Sequence, residues 1–319
     1  MKRKVVVIGA AGHIGNAITR ALLDRGCEVT AVGRRLERPL NLAGLSLTYK
    51  VGDAEVPGQF EQWIQGCDLV VDAAAPYPLE GFSLLKPALS PIAGAEKRTS
   101  RLIKAVLKEQ AQLIHIGSFV TCLRPHSATE RLQAGLARIT HPYFEIKSLI
   151  ESQLLDAARH GLRVVIVNPT YCMGPWDLHD RQLCIIPLLL SGEMPVATRQ
   201  RLNVIDTRDV AIAALRAFEL GRYAEQLVLT GHDVRIDELH SLICRSSGVP
   251  PPTLTIPSAL AAAAAYFFDT AQLMSSIMMA DMFEYLPSND HLRTLGLEAR
   301  PLTETIRDAT AWYRQIGYC

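Results

Sequence analysis

Tyr143 and Lys147 stand four residues apart in the stretch Tyr143-Phe144-Glu145-Ile146-Lys147. On a helix that spacing brings a phenol and an ammonium to one face. The cation favours the phenolate, which fits the phenol to exchange a proton with a carbonyl or alcohol oxygen. Tyr-x-x-x-Lys pairs are common on ordinary surface helices, so the weight rests on what surrounds this one. Ser118 closes the apolar run Leu113-Ile114-His115-Ile116-Gly117-Ser118, which reads as a buried strand. Open α/β sheets bind ligands at the carboxyl ends of their strands. A serine there and a tyrosine on the following helix can meet over one sheet edge.

The elements that would position these groups begin at the N-terminus. Val5-Val6-Val7-Ile8 is a β-branched run suited to a strand buried on both faces. It leads into Gly9-Ala10-Ala11-Gly12-His13-Ile14-Gly15 and then the helical Asn16 to Leu23. Glycines at this spacing allow a tight turn, close approach to a pyrophosphate and close helix packing, with the helix N–H groups facing the phosphates. Gly9, Ala11, Gly12, His13, Ile14 and Gly15 are therefore candidate dinucleotide contacts. The second strand, Val29 to Val32, ends in Gly33-Arg34-Arg35. An NAD site usually has an acid here for the ribose 2′-hydroxyl. Arg34 and Arg35 suit a 2′-phosphate instead, because a guanidinium can bond two oxygens at once. The expected cofactor is NADP(H) rather than NAD(H).

A third strand, Leu47 to Val51, ends at Gly52-Asp53-Ala54. Asp53 could accept from the adenine amino group or cap the next helix. A fourth, Asp68 to Ala75, ends in small residues, and Ala74 and Ala75 would let a cofactor lie against the backbone. Pro76-Tyr77-Pro78 breaks the chain after it. Glu96 to Gln110 reads as an amphipathic helix, and Arg163 to Val167 as a sixth strand closed by Asn168-Pro169. Strands alternating with helices predict an α/β fold, a Rossmann-type doubly wound parallel sheet over residues 1–170. Residues 171–319 would form a smaller α/β substrate lobe, with the chain crossing back to the sheet around 202–220. There the pattern predicts strands at Asn203–Asp206 and Leu227–Thr230, and helices over Asp206–Leu220, Ile236–Ser246 and Leu302–Gln315. The stretch Ser258 to Ala280 holds five consecutive alanines followed by Tyr, Phe, Leu and Met. Its polar interruptions exclude a membrane span. It reads first as a buried helix and second as a wall or lid over an apolar substrate.

At 319 residues and 49% hydrophobic, the chain can bury a large core. Its 33 basic residues balance 32 acidic ones, so charge alone points to neither nucleic acid nor a membrane surface. The seven cysteines form no C-x-x-C pair, which argues against zinc and for reduced thiols in a cytoplasmic protein. No metal site is expected. The apolar run after Lys4 stops at Gly9, too short for a signal peptide.

Taken together, these pieces resemble the extended short-chain dehydrogenase/reductase family, of the NAD-dependent epimerase/dehydratase type. The resemblance covers nearly the whole chain. It rests on Gly9-x-x-Gly12-x-x-Gly15, Gly52-Asp53, Ala74-Ala75, Ser118, Tyr143-x-x-x-Lys147, Asn168-Pro169, Gly174-Pro175 and Val204-Ile205-Asp206-Thr207-Arg208-Asp209-Val210-Ala211. Val165-Ile166-Val167-Asn168-Pro169 and Trp312 to Tyr318 are similar to the branch of dihydroflavonol-reductase-like and hopanoid-associated sugar epimerase proteins. The resemblance implies that Tyr143 exchanges the proton, that Lys147 holds the nicotinamide ribose, and that Ser118 bonds the carbonyl. It further implies that Pro169 and Cys172 flank the nicotinamide. The family's helical asparagine is missing from the matching Gly94-Ala95-Glu96-Lys97-Arg98-Thr99. Pairing through the helices at 96–110 and 143–159 would make a homodimer.

The expected function is NADP(H)-dependent interconversion of a ketone and a secondary alcohol on a hydrophobic, lipid- or terpenoid-like molecule. The first alternative is an NAD-dependent nucleotide-sugar epimerase or dehydratase, with Arg199, Arg201 and Arg208 as candidate diphosphate partners. The second is a protein that binds NADP(H) without turnover.

Overall fold

The computed structural model describes residues 2–74, 89–125, 127–128, 131–132, 142–181, 184–267, 280–287 and 291–319. Among these, seven parallel strands form one sheet in the order β10-β6-β5-β4-β1-β2-β3. They are β1 (Lys4–Ile8), β2 (Glu28–Gly33), β3 (Thr48–Val51), β4 (Leu69–Asp72), β5 (Gln112–Ile116), β6 (Val164–Pro169) and β10 (Gln226–Leu229). The chain builds outward from β1 in one direction and from β4 in the other. The crevice between them is the switch point where α/β sheets hold ligands.

Alternate residues of each strand feed two different cores. Val5, Val7, Val71, Ile114 and Val165 face α1 (His13–Asp24) and a later helix, α6 (Thr207–Glu219). Val6, Ile8, Val70, Leu113 and Ile166 face α2 (Gln59–Ile64), α3 (Leu89–Lys108) and α4 (Pro142–Arg159). Asp72 and His115 share the second parity, so they point toward α3 and α4. The α3 helix starts seven residues before the predicted Glu96, since Pro91 is tolerated in a first turn.

A third core of Phe119, Tyr143, Phe144, Met173, Ile186, Phe283 and Trp312 joins the sheet's carboxyl edge to the later part of the chain. Here β7 (Tyr171–Met173), β9 (Arg201–Asp206) and β11 (His232–Arg235) form a small sheet, and β8 (Val196–Thr198) pairs with β12 (Leu254–Ile256). Around them pack α5 (Ile185–Leu190), α7 (Ile236–Ser246), α8 (Ser258–Phe267), α9 (His291–Thr294) and α10 (Leu302–Gln315). Of the alanine-rich stretch, 258–267 is helix, Ala280 is buried in the third core, and 268–279 lies outside the described residues. No described helix is long and apolar enough to cross a membrane.

Candidate active site

The Gly-rich turn runs from the end of β1 into α1. Gly9 has φ +82, and a Cβ there would stand 2.8 Å from the Ala73 carbonyl carbon and 2.9 Å from the Ala74 Cβ. A Cβ on Gly15 would lie 2.2 Å from the Gly9 oxygen. Glycine is thus demanded by close backbone approach, and the turn folds into a tight cradle. The α1 N-cap is Gly12, with no side-chain cap, so the first helical N–H groups stay open to an anion. Ala11 and Ile14 are half-buried at this turn. The Ala11 carbonyl accepts a 2.9 Å bond from Asn41 Nδ2, which also donates to the Trp176 carbonyl at 2.9 Å. The His13 ring turns away from the cradle. Its Nε2 is 3.2 Å from the Gly174 oxygen and its Nδ1 3.7 Å from Asp177. Burial lowers the His13 pKa, with Asp177 opposing.

Past β2, Arg34 and Arg35 are exposed and make no side-chain hydrogen bond or ion pair among the described residues. The Tyr49 hydroxyl donates to the Arg35 carbonyl at 2.8 Å, which braces the loop against β3. Asp53 Oδ1 accepts from the Glu55 N–H at 2.9 Å. The α2 N-cap is Gly58, so Asp53 does not cap that helix and instead closes a turn ahead of it. Ala54 and Ala74 pack on the α3/α4-side core. Ala75 lies outside the described residues.

Ser118 sits just past the carboxyl end of β5 and is 4% exposed. Tyr143 and Lys147, both 5% exposed, reach the same edge from the first turns of α4. Lys147 Nζ stands 5.6 Å from the Tyr143 ring centroid, so the pair shares one face as their spacing requires. Among the described residues neither Ser118 Oγ nor Lys147 Nζ has a hydrogen bond. Two buried polar groups left open beside a cradle that excludes side chains fit a bound dinucleotide and its substrate. Burial pulls the Lys147 amine down to about 8, with Asp72 and Glu151 working against that fall. Pro169 ends β6 and is buried, while Cys172 on β7 is half-buried. Burial pushes the Cys172 thiol up, away from thiolate chemistry.

Reading the sequence missed the polar floor beneath these groups. Arg98, 0% exposed, binds both oxygens of Asp72, and His115 touches the same carboxylate. One turn beyond Lys147 on α4, Glu151 accepts from Thr121 Oγ1 at 2.8 Å and from Asn168 Nδ2 at 3.3 Å. A Cβ on Gly117 would strike Asn168 Oδ1 at 2.0 Å and Glu151 Oε1 at 2.5 Å, which explains the glycine before Ser118. The available signal was an acid ending the apolar run Leu69-Val70-Val71 and an arginine among the inward positions of α3.

A model of the NAD dependent epimerase/dehydratase family matches residues 5–228. The chain belongs to that family. Members of this family are enzymes of the extended short-chain dehydrogenase/reductase type that use a pyridine nucleotide, and the cradle described above is where this chain would hold one. The chain is similar to a Synechocystis protein provisionally named a dihydroflavonol 4-reductase, at 27% identity over 98% of this chain and 95% of that one. It is also similar to sterol demethylase protein B of Methylococcus capsulatus, at 25% identity over 98% of both. Its fold is that of a nucleoside-diphosphate-sugar epimerase from Pseudomonas aeruginosa, with TM-score 0.79 at 24% identity over 100% of this chain and 99% of that one.

Proposed function

We propose that this enzyme interconverts a ketone and a secondary alcohol on a hydrophobic small molecule and prefers NADP(H). The observation that carries the reading is the apolar cluster that begins at the residue after Ser118. Phe119 follows it directly and stacks on Phe283 at 4.4 Å between centroids, with Tyr285, Met173, Ile186 and Leu189 buried in the same cluster. A substrate bound against such a cluster would gain from apolar surface of its own. The two relatives named for dihydroflavonol and sterol chemistry support the same substrate class. Arg34 and Arg35, uncommitted at the β2 end, support a 2′-phosphate.

When bound, the dinucleotide supplies or accepts the hydride. Ser118 Oγ holds the substrate oxygen, Tyr143 exchanges a proton with it, and Lys147 anchors the ribose hydroxyls and biases the phenol toward phenolate. Gly9, Gly12 and Gly15 admit the diphosphate, and Pro169 and Cys172 bound the nicotinamide side. The rival sugar-nucleotide reading loses one support. Arg208 is tied to Asp206 at 2.7 Å and to Asp308 at 2.6 Å, so it is not free for a diphosphate. A homodimer through α3 and α4 accompanies the proposal, and a monomer by light scattering would remove that part.

The test is direct. Purified protein is denatured and its extract searched by mass spectrometry for retained cofactor, then NADPH and NADH are titrated. Tighter NADPH binding, lost in Arg34→Ala/Arg35→Ala, is expected. Tightly retained NAD(H) would overturn the preference. NADPH oxidation with hydrophobic ketones should fall about 100-fold or more in Tyr143→Phe. Turnover of sugar nucleotides alone would sink the substrate class.

A further inference from the structure

A cavity of about 360 Å³ lies outside the glycine cradle, between α1, the loop after β2 and α10. Arg20, Leu40, Trp176, Trp312, Gln315 and Ile316 line it, and the redox chemistry uses none of them. Ligand sites combine apolar walls with a few fixed polar groups, and this volume falls at the small end of their range. Here the apolar walls are two indoles and two aliphatic side chains. The polar groups are a guanidinium and an amide. Trp312 is buried, and its Nε1 donates to the Asp177 carbonyl at 2.9 Å, which fixes the ring. Trp176 has φ +71. A bulky residue seldom holds that left-handed backbone, and strain of this kind gathers at ligand clamps and active sites. Two contacts keep Trp176 there. Asn41 Nδ2 donates to its carbonyl at 2.9 Å, and the Arg20 guanidinium lies over its ring, 4.4 Å from the centroid.

Arg20 gives the cavity its chemistry. It is half-buried, and its Nε donates to Asn16 Oδ1 and its Nη2 to the Asn41 carbonyl, each at 2.8 Å. Both acceptors are neutral. Among the described residues Nη1 makes no hydrogen bond, and no carboxylate stands at ion-pair distance from the guanidinium. A partly desolvated cation without a counter-ion carries a cost that an anion would relieve. With two of its three nitrogens tied down, the guanidinium is also held in place for that anion, and a planar fork suits a planar carboxylate. The indoles and the Leu40 and Ile316 side chains reward a flat apolar body behind the charge. We propose that this cavity is a second binding site, for a flat aromatic carboxylate, with the carboxylate on Arg20 and the ring against the apolar walls. A bare inorganic anion would leave those walls unused. The site touches the cradle through one residue only, since Asn41 Nδ2 also donates to the Ala11 carbonyl at 2.9 Å. It stands independently of the ketone and alcohol chemistry proposed above.

Isothermal titration calorimetry tests it, with naphthoate as the probe and naphthamide as its uncharged counterpart. Each is titrated into the cofactor-free protein and into protein saturated with NADPH or NADH. Naphthoate should bind in both states at submillimolar concentration, and naphthamide about tenfold more weakly. Arg20→Met should lower naphthoate affinity about tenfold and leave naphthamide nearly unchanged, because only the partner of the charge is lost. Ala43 lines the same cavity and is exposed, so Ala43→Trp should fill the space and abolish binding of both probes without lowering the melting temperature. That variant decides the matter should Arg20→Met fail to fold. Absence of naphthoate binding at millimolar concentration would overturn the proposal. So would naphthoate binding that survives Ala43→Trp, or that the dinucleotide displaces, since the probe would then lie elsewhere or in the cradle. Equal affinity for naphthoate and naphthamide would overturn the carboxylate as the ligand class.

Discussion

The turn after β1 and the floor under Lys147 lie at the same edge of one sheet and are built on opposite principles. The turn works by lacking side chains. Backbone meets backbone across Gly9, Gly15 and Ala73, and nothing there can yield. The floor works by burying charged and polar side chains from β4, β5, β6, α3 and α4, each of which can shift a little. A close approach between backbones tolerates no added atom, whereas a side-chain network tolerates one at a cost.

The largest effect should come where backbone meets backbone. Gly15→Ala places a Cβ 2.2 Å from the Gly9 oxygen, and we expect a loss of about 3 kcal/mol, the upper part of the overpacking range, with NADPH binding abolished. Urea denaturation and fluorescence titration read both, and retained NADPH binding would break the contrast with the floor.

Next is Lys147→Met, which should stabilise the protein. The folded chain holds the Lys147 proton only to about pH 8, below the amine's ordinary 10.5. Burying the ammonium therefore costs stability below pH 8, and the cost fades as pH rises from 8 toward 10.5. At about 1.4 kcal/mol per unit, the variant should gain up to ~3 kcal/mol at pH 7 and almost nothing at pH 11. A melting temperature at pH 7 no higher than wild type would show that the floor bears the ammonium without strain.

Gly117→Ala should cost about 1–2 kcal/mol, less than Gly15→Ala, because the added Cβ strikes side-chain oxygens of Asn168 and Glu151. Equal urea midpoints for the two alanine variants would remove the distinction. The smallest effect is expected for Asn41→Ala, about 1 kcal/mol from the lost bonds to Ala11 and Trp176. NADPH affinity should fall with it, since Ala11 belongs to the cradle.

These regions also differ in how far they could be read from residues alone. The turn was legible because three glycines within seven residues, set between a β-branched run and a helix, state a local backbone requirement. Ile236–Ser246 and Leu302–Gln315 fall where their periodicity placed them. The short strands β7, β8, β11 and β12 span three or four residues each and carry too little pattern to be seen. Asp72, Arg98 and His115 were all in view as letters. Their meaning depends on strand register and helix facing across more than forty residues, which no spacing rule encodes.

By itself, then, the sequence determined the doubly wound sheet, the glycine cradle and the Tyr143/Lys147 face, because each follows from periodicity or spacing within a few turns of chain. Only the tertiary structure decided that β10 completes the large sheet, that the His13 ring serves Gly174 and Asp177, and that Asp72 is gripped by Arg98 and His115. Those outcomes depend on which distant side chains are buried together, and burial is what turns an ordinary charge into one that must be answered.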